Sequence, residues 1–309
     1  QQEHGVQFDL CGVGTTGSGR AFIQKAVNAD LAVDEITAHA RAAYALNPAV
    51  DTIIEIGGQD SKFTVMRNGQ VTFSVMNYVC AAGTGSFLEE QARRLDVPLE
   101  EYASRAGGTP SPLTSDRCTV FMERDLNHYL CLGYAKEELL AAALHSIRDN
   151  YLSKVAHVNK IGEVICFQGA TAKNAALIAA FEQKLQKPIF VSRYCHLTGA
   201  LGVCLLLRER NVTQSQFRGI DFYRESPVVE EEVCDLCTNH CKLKRMILGQ
   251  ESVTWGFLCG RDESGPPRKV ANPAGFDLLS SRRRVFDIAT AQAGVAAGPA
   301  AASPAAGED

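Results

Sequence analysis

Between residues 6 and 207 the sequence alternates short apolar runs with stretches of helical periodicity, and a glycine-rich turn follows three of the apolar runs. This alternation predicts an α/β domain, because helices can then cover a central sheet. The pair Asn68-Gly69 predicts a β-hairpin, since both residues accept the positive φ of a type I′ turn, so we expect a mixed sheet. Strands are predicted at residues 6–11, 52–56, 63–66, 71–75, 164–167 and 189–191, and helices at residues 19–26, 35–45, 85–95, 118–130, 136–159, 173–185 and 199–210.

The composition narrows the class of protein. The chain has 309 residues, enough for a large core without disulfides, and its formal charge of −4 gives no electrostatic argument for nucleic acid. No apolar run reaches the roughly 18 residues that a membrane span needs. Eleven cysteines, an odd number, follow no signal peptide. This pattern predicts reduced thiols in a cytoplasmic protein.

Two of the glycine-rich turns are open to a structural interpretation. The run GVGTTGSGR at residues 12–20 ends a strand and begins a helix, but it lacks the Gly-Lys-Ser/Thr ending of a Walker loop. Because glycines also serve where φ must be positive, a structural turn is favoured there. In VICFQGATAKN at residues 164–174, a strand leads through Gly169 into a helix. Such a turn lets a flat ring approach the backbone, although a packing glycine would look the same.

The remaining turn, in IIEIGGQDSK at residues 53–62, favours a ligand site. Two glycines lead the chain directly out of an apolar strand, and a Gln-Asp-Ser-Lys run follows them. Exposed backbone amides beside such polar groups suit a phosphate and its Mg²⁺, which needs oxygen ligands. The alternative is a tight hairpin without a ligand.

Two cysteines lie at or just before predicted helix starts. Cys80 precedes AAGTGSFLEEQARRL and Cys118 precedes TVFMERDLNHYL, where unsatisfied N–H groups favour a thiolate. Two thiolates from one chain supply half of a tetrahedral site, and a twofold dimer would bring four together for a 4Fe-4S cluster. Spacing alone favours buried packing cysteines instead. The other cysteines within apolar segments are expected in the core: Cys11, Cys131, Cys166, Cys195 and Cys204.

Four runs share one resemblance. They are CAAGTGSFLE at residues 80–89, CTVF at 118–121, IGGQDSK at 56–62 and TGALG at 198–202. Together they resemble the ATP-dependent activators of 2-hydroxyacyl-CoA dehydratases such as 2-hydroxyglutaryl-CoA dehydratase, a family of BadF/BadG/BcrA/BcrD type that includes the ATPase subunits of benzoyl-CoA reductase. The resemblance covers residues 8–207. It implies an acetate kinase/Hsp70/actin-like fold of two RNase H-like halves with ATP in the cleft.

The resemblance also implies a cofactor and roles for single residues. A homodimer would share one 4Fe-4S cluster held by Cys80 and Cys118 of both subunits, which reverses the preference for packing cysteines. ATP turnover would drive an electron from a ferredoxin or flavodoxin donor to an acyl-CoA dehydratase or reductase. Gly57, Gly58, Gln59, Asp60 and Lys62 would bind the phosphates and Mg²⁺, and Gly169, Ala170 and Asn174 would contact the adenosine. Gln59 and Asp60 are the candidate catalytic residues. Gln59 stands where a carboxylate would be expected to orient the attacking water, so we expect slow ATP hydrolysis.

The sequence departs from the family at its start. Members begin with a strand and a first phosphate loop of the type Asp-x-Gly-Ser-Thr, which this sequence does not contain. We therefore expect a truncated ATPase domain at residues 1–210. The Cys-rich segment after it resembles the region that follows the activase repeats in large activase–dehydratase fusions, which implies a fragment of such a fusion. Two alternatives remain open: a small-molecule kinase of the same fold with Asp60 as its base, and a non-catalytic scaffold.

A second cysteine group follows the ATPase-like region. Cys234-x2-Cys237-x3-Cys241 and the later Cys259 could bind one metal or one iron–sulfur cluster, with His240 as a substitute ligand. An iron–sulfur cluster is preferred because the neighbouring region resembles an electron-transfer protein. The group lies in a predicted Cys-rich module at residues 220–285, and an Ala-rich tail at 286–309 is expected to be disordered.

Overall fold

The computed structural model describes residues 5, 9–77, 84–225, 227–235, 240–248, 251–257 and 278–292. The chain divides into two compact units, one formed by residues 1–230 with 245–254 and the other by residues 231–244 with 255–309. Among the helices within the described ranges, none is long and apolar enough to cross a membrane.

The described residues up to residue 211 form two sheets. Two short parallel strands, β1 (Gly14–Thr15) and β2 (Leu31–Ala32), pair with each other. The larger sheet has five strands, and their spatial order is β5-β4-β3-β6-β7. These strands are β3 (Thr52–Ile56), β4 (Ser61–Arg67), β5 (Gln70–Asn77), β6 (Ile165–Gln168) and β7 (Ile189–Val191). β3, β4 and β5 are antiparallel neighbours, whereas β6 and β7 run parallel to β3, so the predicted mixed sheet is confirmed.

Eight helices of the described ranges belong to the first unit. They are α1 (Arg20–Val27), α2 (Glu35–Leu46), α3 (Gly85–Arg94), α4 (Tyr102–Ala106), α5 (Thr119–Cys131), α6 (Lys136–Lys154), α7 (Ala175–Leu185) and α8 (Thr198–Glu209). α6 is the most buried of them, because apolar and alanine side chains line most of its surface. Its Tyr151 packs on Phe181 of α7 and donates a hydrogen bond to the carbonyl of Lys62, at 2.7 Å. This hydrogen bond therefore holds the start of β4 against α6.

Local sequence chemistry accounts for the element ends. The predicted hairpin is confirmed, with Asn68 at φ 50° and Gly69 at φ 76° between β4 and β5. Asp34 begins α2 by accepting a hydrogen bond from the Thr37 amide, and Asn174 begins α7 by accepting one from Leu177. Because Asn174 caps α7, this helix starts at Ala175 and not at the predicted residue 173.

Other boundaries correct the sequence predictions. The helix predicted over residues 136–159 ends at Lys154, because Val155 turns into the core with 2% exposure and the Ala156 amide bonds to the Tyr151 carbonyl. Residues 9–11 of the predicted first strand are not a strand, and residues 6–8 lie outside the described residues. The glycines at residues 12–20 serve packing and turning, since Gly14 lies against Val203 and Gly17 has φ +94°. The favoured structural interpretation of that turn is therefore supported.

The region after residue 211 contains strands that the sequence did not predict. They are β8 (Val228–Val233), β9 (Lys242–Leu248) and β10 (Glu251–Trp255), in the order β10-β9-β8. A last helix, α9 (Leu278–Gln292), crosses the predicted boundary at residue 285. Residues 286–292 are therefore helical where disorder was predicted, and residues 293–309 lie outside the described residues.

Candidate functional site

The loop between β3 and β4, Gly57 to Asp60, is closed by a hydrogen bond from the Gly57 amide to the Asp60 carbonyl, at 2.9 Å. Gly58 and Gln59 are exposed at its tip. The next residue, Ser61, is fully buried, and its hydroxyl has no hydrogen-bond partner in the described part of the chain. The loop is a tight hairpin, and it also leaves a polar atom that a bound phosphate, cation or water would satisfy.

The first residues of α3 bind this loop directly. The Gly85 amide donates to the Gly57 carbonyl at 2.8 Å, and the Ser86 amide donates to the Gly58 carbonyl at 2.9 Å. The Ser86 hydroxyl donates to the same Gly58 oxygen. The first amides of a helix have no partner within the helix, and here they bind the loop. A Cβ at Gly85 would lie 3.2 Å from the Gly57 oxygen and 2.9 Å from a methyl of Thr171, so the approach requires glycine.

The glycine-rich turn at residues 169–174 packs against the end of β3, where the Gly57–Asp60 loop begins. Gly169 has φ +94°, and a Cβ there would collide with the carbonyl oxygen of Ile56, the last residue of β3. The Thr171 hydroxyl donates a hydrogen bond to this same oxygen at 2.6 Å. A short helical turn, Ala170–Lys173, follows and leads to the cap at Asn174. Gly169 thus serves close packing of the turn on the sheet end.

A cavity of about 510 Å³ opens between these elements. It is lined by Gly58, Gly85, Ser86, Leu88, Glu89, Leu99, Glu100, Ala103, Ala170, Thr171, Lys173 and Asn174. Three residues predicted to bind cofactor, Gly58, Ala170 and Asn174, are therefore brought together. The apolar wall, with carboxylates at Glu89 and Glu100, suits a flat ring and sugar hydroxyls. Sequence reasoning missed these two carboxylates, although Glu89 lies within the CAAGTGSFLE run.

Lys62 is placed differently from the prediction, which gave it a phosphate contact. Its ammonium is buried among three carboxylates, at 2.6 Å from Glu35, 3.0 Å from Asp60 and 3.3 Å from Glu55. Burial opposes its charge, but attraction to Glu55 and hydrogen bonds to Glu35 and Asp60 outweigh it and raise the pKa of Lys62 to about 12. Lys62 stays charged and offsets part of the negative charge of these three carboxylates.

A histidine side chain contacts the same group of polar residues. His39 of α2 lies with Nε2 3.5 Å from Glu55 and with Nδ1 2.8 Å from the Gln168 side chain and 3.0 Å from the Thr198 hydroxyl. These contacts join α2, β3, β6 and α8 at one end of the sheet. Neither His39 nor Glu55 was predicted, because their partners are distant in sequence.

The cysteines divide by burial. Cys118 is half-buried at the N-cap of α5, as predicted, and Cys80 lies outside the described residues. Of the five cysteines expected in the core, Cys166 and Cys195 are buried, and burial raises the pKa of both thiols, that of Cys166 to about 12. Three predictions were wrong, since they lie on the surface: Cys11, Cys131 and Cys204.

Two sets of polar contacts hold the neighbourhood of Cys118. Asn150 of α6 donates to the carbonyls of Asp116 and Arg117, at 2.6 and 2.7 Å. At the far end of α3, Arg94 pairs with Glu123 of α5 and donates to Asn127 at 3.1 Å. α3 therefore contacts the Gly57–Asp60 loop at one end and the helix that follows Cys118 at the other.

In the second cysteine group, Cys234 and Cys241 are 7% and 1% exposed, whereas Cys237 and Cys259 lie outside the described residues. Within the described ranges, no three His, Cys, Asp or Glu side chains are grouped closely enough to hold a metal ion.

The chain is similar in sequence and in fold to known proteins. The chain is 32% identical over 206 residues to the (R)-2-hydroxyglutaryl-CoA dehydratase activating ATPase of Acidaminococcus fermentans, covering 66% of this chain and 78% of that protein. It is 34% identical over 196 residues to the activator of lactoyl-CoA dehydratase of Anaerotignum propionicum, covering 63% and 74%. The solved activator of the 2-hydroxyisocaproyl-CoA dehydratase from Clostridium difficile with bound ADPNP superposes with a TM-score of 0.61 at 29% identity, covering 68% and 78%.

The structural similarity confirms the expected acetate kinase/Hsp70/actin-like α/β fold. The profile of the BadF/BadG/BcrA/BcrD ATPase family matches residues 2–206, which is most of the chain. The chain therefore belongs to the BadF/BadG/BcrA/BcrD ATPase family.

Proposed function

We propose that this chain uses ATP binding and hydrolysis to drive low-potential electron transfer from a dimer-bridging 4Fe-4S cluster to an acyl-CoA dehydratase or reductase. The observation that carries this proposal is the double contact of α3. Its first amides bind the carbonyls of Gly57 and Gly58, and its last residue, Arg94, pairs with α5. Any movement of the loop on nucleotide binding therefore reaches the helix that begins after Cys118.

The residues around the cavity fit ATP and Mg²⁺. The cavity has the size of a nucleoside site, and its wall brings Ala170 and Asn174 next to the exposed Gly58. The unpartnered Ser61 hydroxyl and the Asp60 carboxylate lie at the phosphate end, where oxygen ligands suit Mg²⁺. We assign the phosphate end to residues 57–60, with Gln59 and Asp60 orienting the reacting groups, and the adenosine end to residues 169–174. Lys62 acts through Asp60, because its ammonium lies 3.0 Å from the Asp60 carboxylate and positions it.

The neighbourhood of Cys118 fits a shared cluster. Cys118 is half-buried at a helix N-cap, and Cys80 lies four residues before Thr84, which caps α3. A 4Fe-4S cluster bound here would supply one-electron chemistry. This chain would hold its half of the cluster through the two thiolates. Asn150 fixes the backbone before Cys118, and Arg94 fixes the angle between the two helices.

The surface of α5 fits a partner. Val120 is 71% exposed and Phe121 39%, and both follow Cys118 directly. Arg117 and Arg124 lie over the Phe121 ring, at 5.9 and 5.4 Å from its centre. Exposed apolar side chains with flanking arginines are typical of interaction sites. We assign this surface to the second subunit and to the dehydratase or reductase component, with ferredoxin or flavodoxin as electron donor.

The alternative of a small-molecule kinase needs a free carboxylate base in the cleft. Asp60, its candidate, is ion-paired with Lys62, which leaves it poorly suited to remove a proton. The geometry therefore favours the electron-transfer proposal.

The Cys118→Ala variant tests the cluster. We expect the unchanged chain, purified anaerobically and reconstituted, to carry about four irons per dimer. The Cys118→Ala variant should lack this iron, because it loses two of the four thiolates that hold the cluster. Iron content and the electron paramagnetic resonance spectrum of the reduced protein measure it. Cys204→Ala, an exposed cysteine of α8, is the matched control. Equal iron and identical spectra in the Cys118→Ala variant and the unchanged chain would contradict the proposal.

The Arg94→Ala variant tests the coupling. We expect ATP hydrolysis to stay within about twofold, because Arg94 does not line the cavity. The change that ATP induces in the cluster spectrum should fall at least fivefold, since the contact of α3 with α5 is lost. The control is Arg105→Ala, which removes a surface pair with Glu101. A full ATP-induced spectral change in the Arg94→Ala protein would show that α3 does not transmit it.

A further inference from the structure

We infer that Asn150 is a positioning residue for Cys118: it orients the two peptide groups that precede this cysteine and so helps to set the potential at which a cluster held by Cys118 is reduced. The inference rests on the proposed function in assigning a cluster to Cys118. Asn150 lies in the second half of α6 and is 2% exposed. Its side-chain nitrogen, which carries two hydrogens, donates to the carbonyls of Asp116 and Arg117 at 2.6 and 2.7 Å. One buried side chain therefore holds both peptide groups.

The orientation of the Cys118 amide follows from these two bonds. In a trans peptide group, the carbonyl and the N–H of the next residue point in opposite directions. Because the Arg117 carbonyl points towards Asn150, the Cys118 N–H points away from it. Cys118 is the N-cap of α5, and among the described residues its N–H has no hydrogen-bond partner. This N–H is therefore available to a sulfur atom bound beside Cys118.

α6 gives Asn150 a fixed support. The neighbouring residue, Tyr151, is fully buried, and its ring packs on Phe181 of α7 with 5.7 Å between the ring centres. Its hydroxyl donates to the Lys62 carbonyl at 2.7 Å. A helix held in this way does not shift at one residue alone, because its backbone hydrogen bonds tie neighbouring turns together. The carbonyls that precede Cys118 therefore keep the position that α6 gives them.

Other polar contacts between α6 and the segment before Cys118 reach the side chains of that segment. The Ser111 hydroxyl lies 2.9 Å from Nδ1 of His145, and the Ser153 hydroxyl donates to the Asp116 carboxylate at 3.2 Å. Asn150 instead binds the peptide groups. Removing its amide should therefore leave the segment attached to α6 but allow the peptide groups before Cys118 to rotate. The positioning role can thus be separated from a role in folding.

Electrostatics gives the direction of the expected effect. Reduction adds a negative charge to an iron–sulfur cluster, and hydrogen bonds to its sulfurs are among the factors that set its potential. An N–H directed to the sulfurs stabilises the more negative, reduced form. If the peptide group before Cys118 rotates, this stabilisation is weakened and reduction becomes harder. Asn150 therefore favours the reduced state through the Cys118 amide.

A redox titration of the reconstituted full chain, followed by electron paramagnetic resonance, tests this effect. At the midpoint potential of the unchanged chain, the ratio of reduced to oxidised cluster is one by definition. In the Asn150→Ala variant this ratio should fall at least threefold. The matched control is Tyr102→Phe, which removes a buried hydroxyl that donates to the Leu140 carbonyl of α6 at 3.1 Å and should keep the ratio near one. A smaller fall in the Asn150→Ala variant, or an equal fall in the control, would overturn the inference.

Hydrogen exchange in the unchanged chain does not depend on how the variant folds. Exchange of the Cys118 amide should slow at least tenfold when the cluster is reconstituted, because the N–H then donates to a sulfur. An equal exchange rate with and without the cluster would contradict the inference, even if the Asn150→Ala variant holds no cluster.

Alkylation of the metal-free full chain separates this inference from the proposed function. Cys118 should be labelled by iodoacetamide at least threefold faster in the Asn150→Ala variant than in the unchanged chain, with the exposed Cys204 labelled equally fast in both. This result in a chain that binds no iron would refute the cluster and support the positioning of Cys118 by Asn150. Equal labelling of Cys118 in the two proteins would refute the positioning role itself.

Discussion

Replacing Lys62 with methionine is expected to lower the free energy of unfolding by about 3–5 kcal/mol, because breaking a buried ion pair leaves its partners uncompensated. Three carboxylates, Glu35, Glu55 and Asp60, lie within 3.3 Å of the Lys62 ammonium. Without it, three negative charges repel one another at the end of β3. Urea denaturation of the Lys62→Met variant measures the loss, and Lys184→Met, at an exposed lysine of α7, is the control.

Two further results should accompany this loss. Adding Glu55→Gln to Lys62→Met should recover about 1 kcal/mol or more of unfolding free energy, because one unpaired charge is removed.

In the unchanged chain, the pKa of Lys62 is raised from 10.5 to about 12, which corresponds to about 2 kcal/mol of stabilisation. A raised lysine pKa stabilises the fold fully below pH 10.5, and this stabilisation is lost as the pH rises towards 12. The Lys62→Met variant should lack that step. A loss below about 1 kcal/mol would show that the carboxylates do not depend on Lys62.

Replacing Gly169 with alanine is the second large effect. Gly169 has φ +94°, and a Cβ would collide with the Ile56 carbonyl oxygen that Thr171 also contacts. We expect a loss of about 3 kcal/mol or more in unfolding free energy, from backbone strain together with overpacking. The turn that carries Ala170 and Asn174 must then move away from the cavity. ATP affinity should therefore fall at least tenfold, as measured by calorimetry.

The Gly108→Ala variant separates backbone strain from overpacking. Gly108 also has a positive φ, at +77°, but nothing lies within 4 Å of the position of its Cβ. This variant should lose only about 1 kcal/mol, the cost of the left-handed conformation for a residue with a Cβ. Equal losses in the two variants, or an unchanged ATP affinity in Gly169→Ala, would mean that the contact with Ile56 does not shape the cavity.

Sequence reasoning worked where one local rule decides the structure. The Asn68-Gly69 hairpin and the helix starting after Cys118 follow from backbone conformation and capping, which short segments encode. The roles of Gly58 and Asn174 were predicted from the family resemblance, and both residues line the cavity.

Sequence reasoning failed where the outcome depends on distant partners. Lys62 follows an exposed loop in sequence, and only the fold brings Glu35 of α2 against it. Cys131 and Cys204 stand in apolar runs, yet both side chains are exposed to solvent. An apolar run without clear periodicity does not reveal which face of a helix is buried. β8 was missed because Val228–Val233 contains three consecutive glutamates, and exposed strands lack an apolar alternation.

The packing of α3 has a mechanical consequence. Its middle is buried through Phe87, Leu88 and Ala92, and apolar burial has no preferred direction. Its two ends, by contrast, are held by directional bonds. A ten-residue helix is about 15 Å long, and it can slide over its apolar seat by small shear steps without exposing that seat to water. The directional contacts at its two ends limit any such shift, so α3 mechanically joins the Gly57–Asp60 loop to α5 as one rigid element.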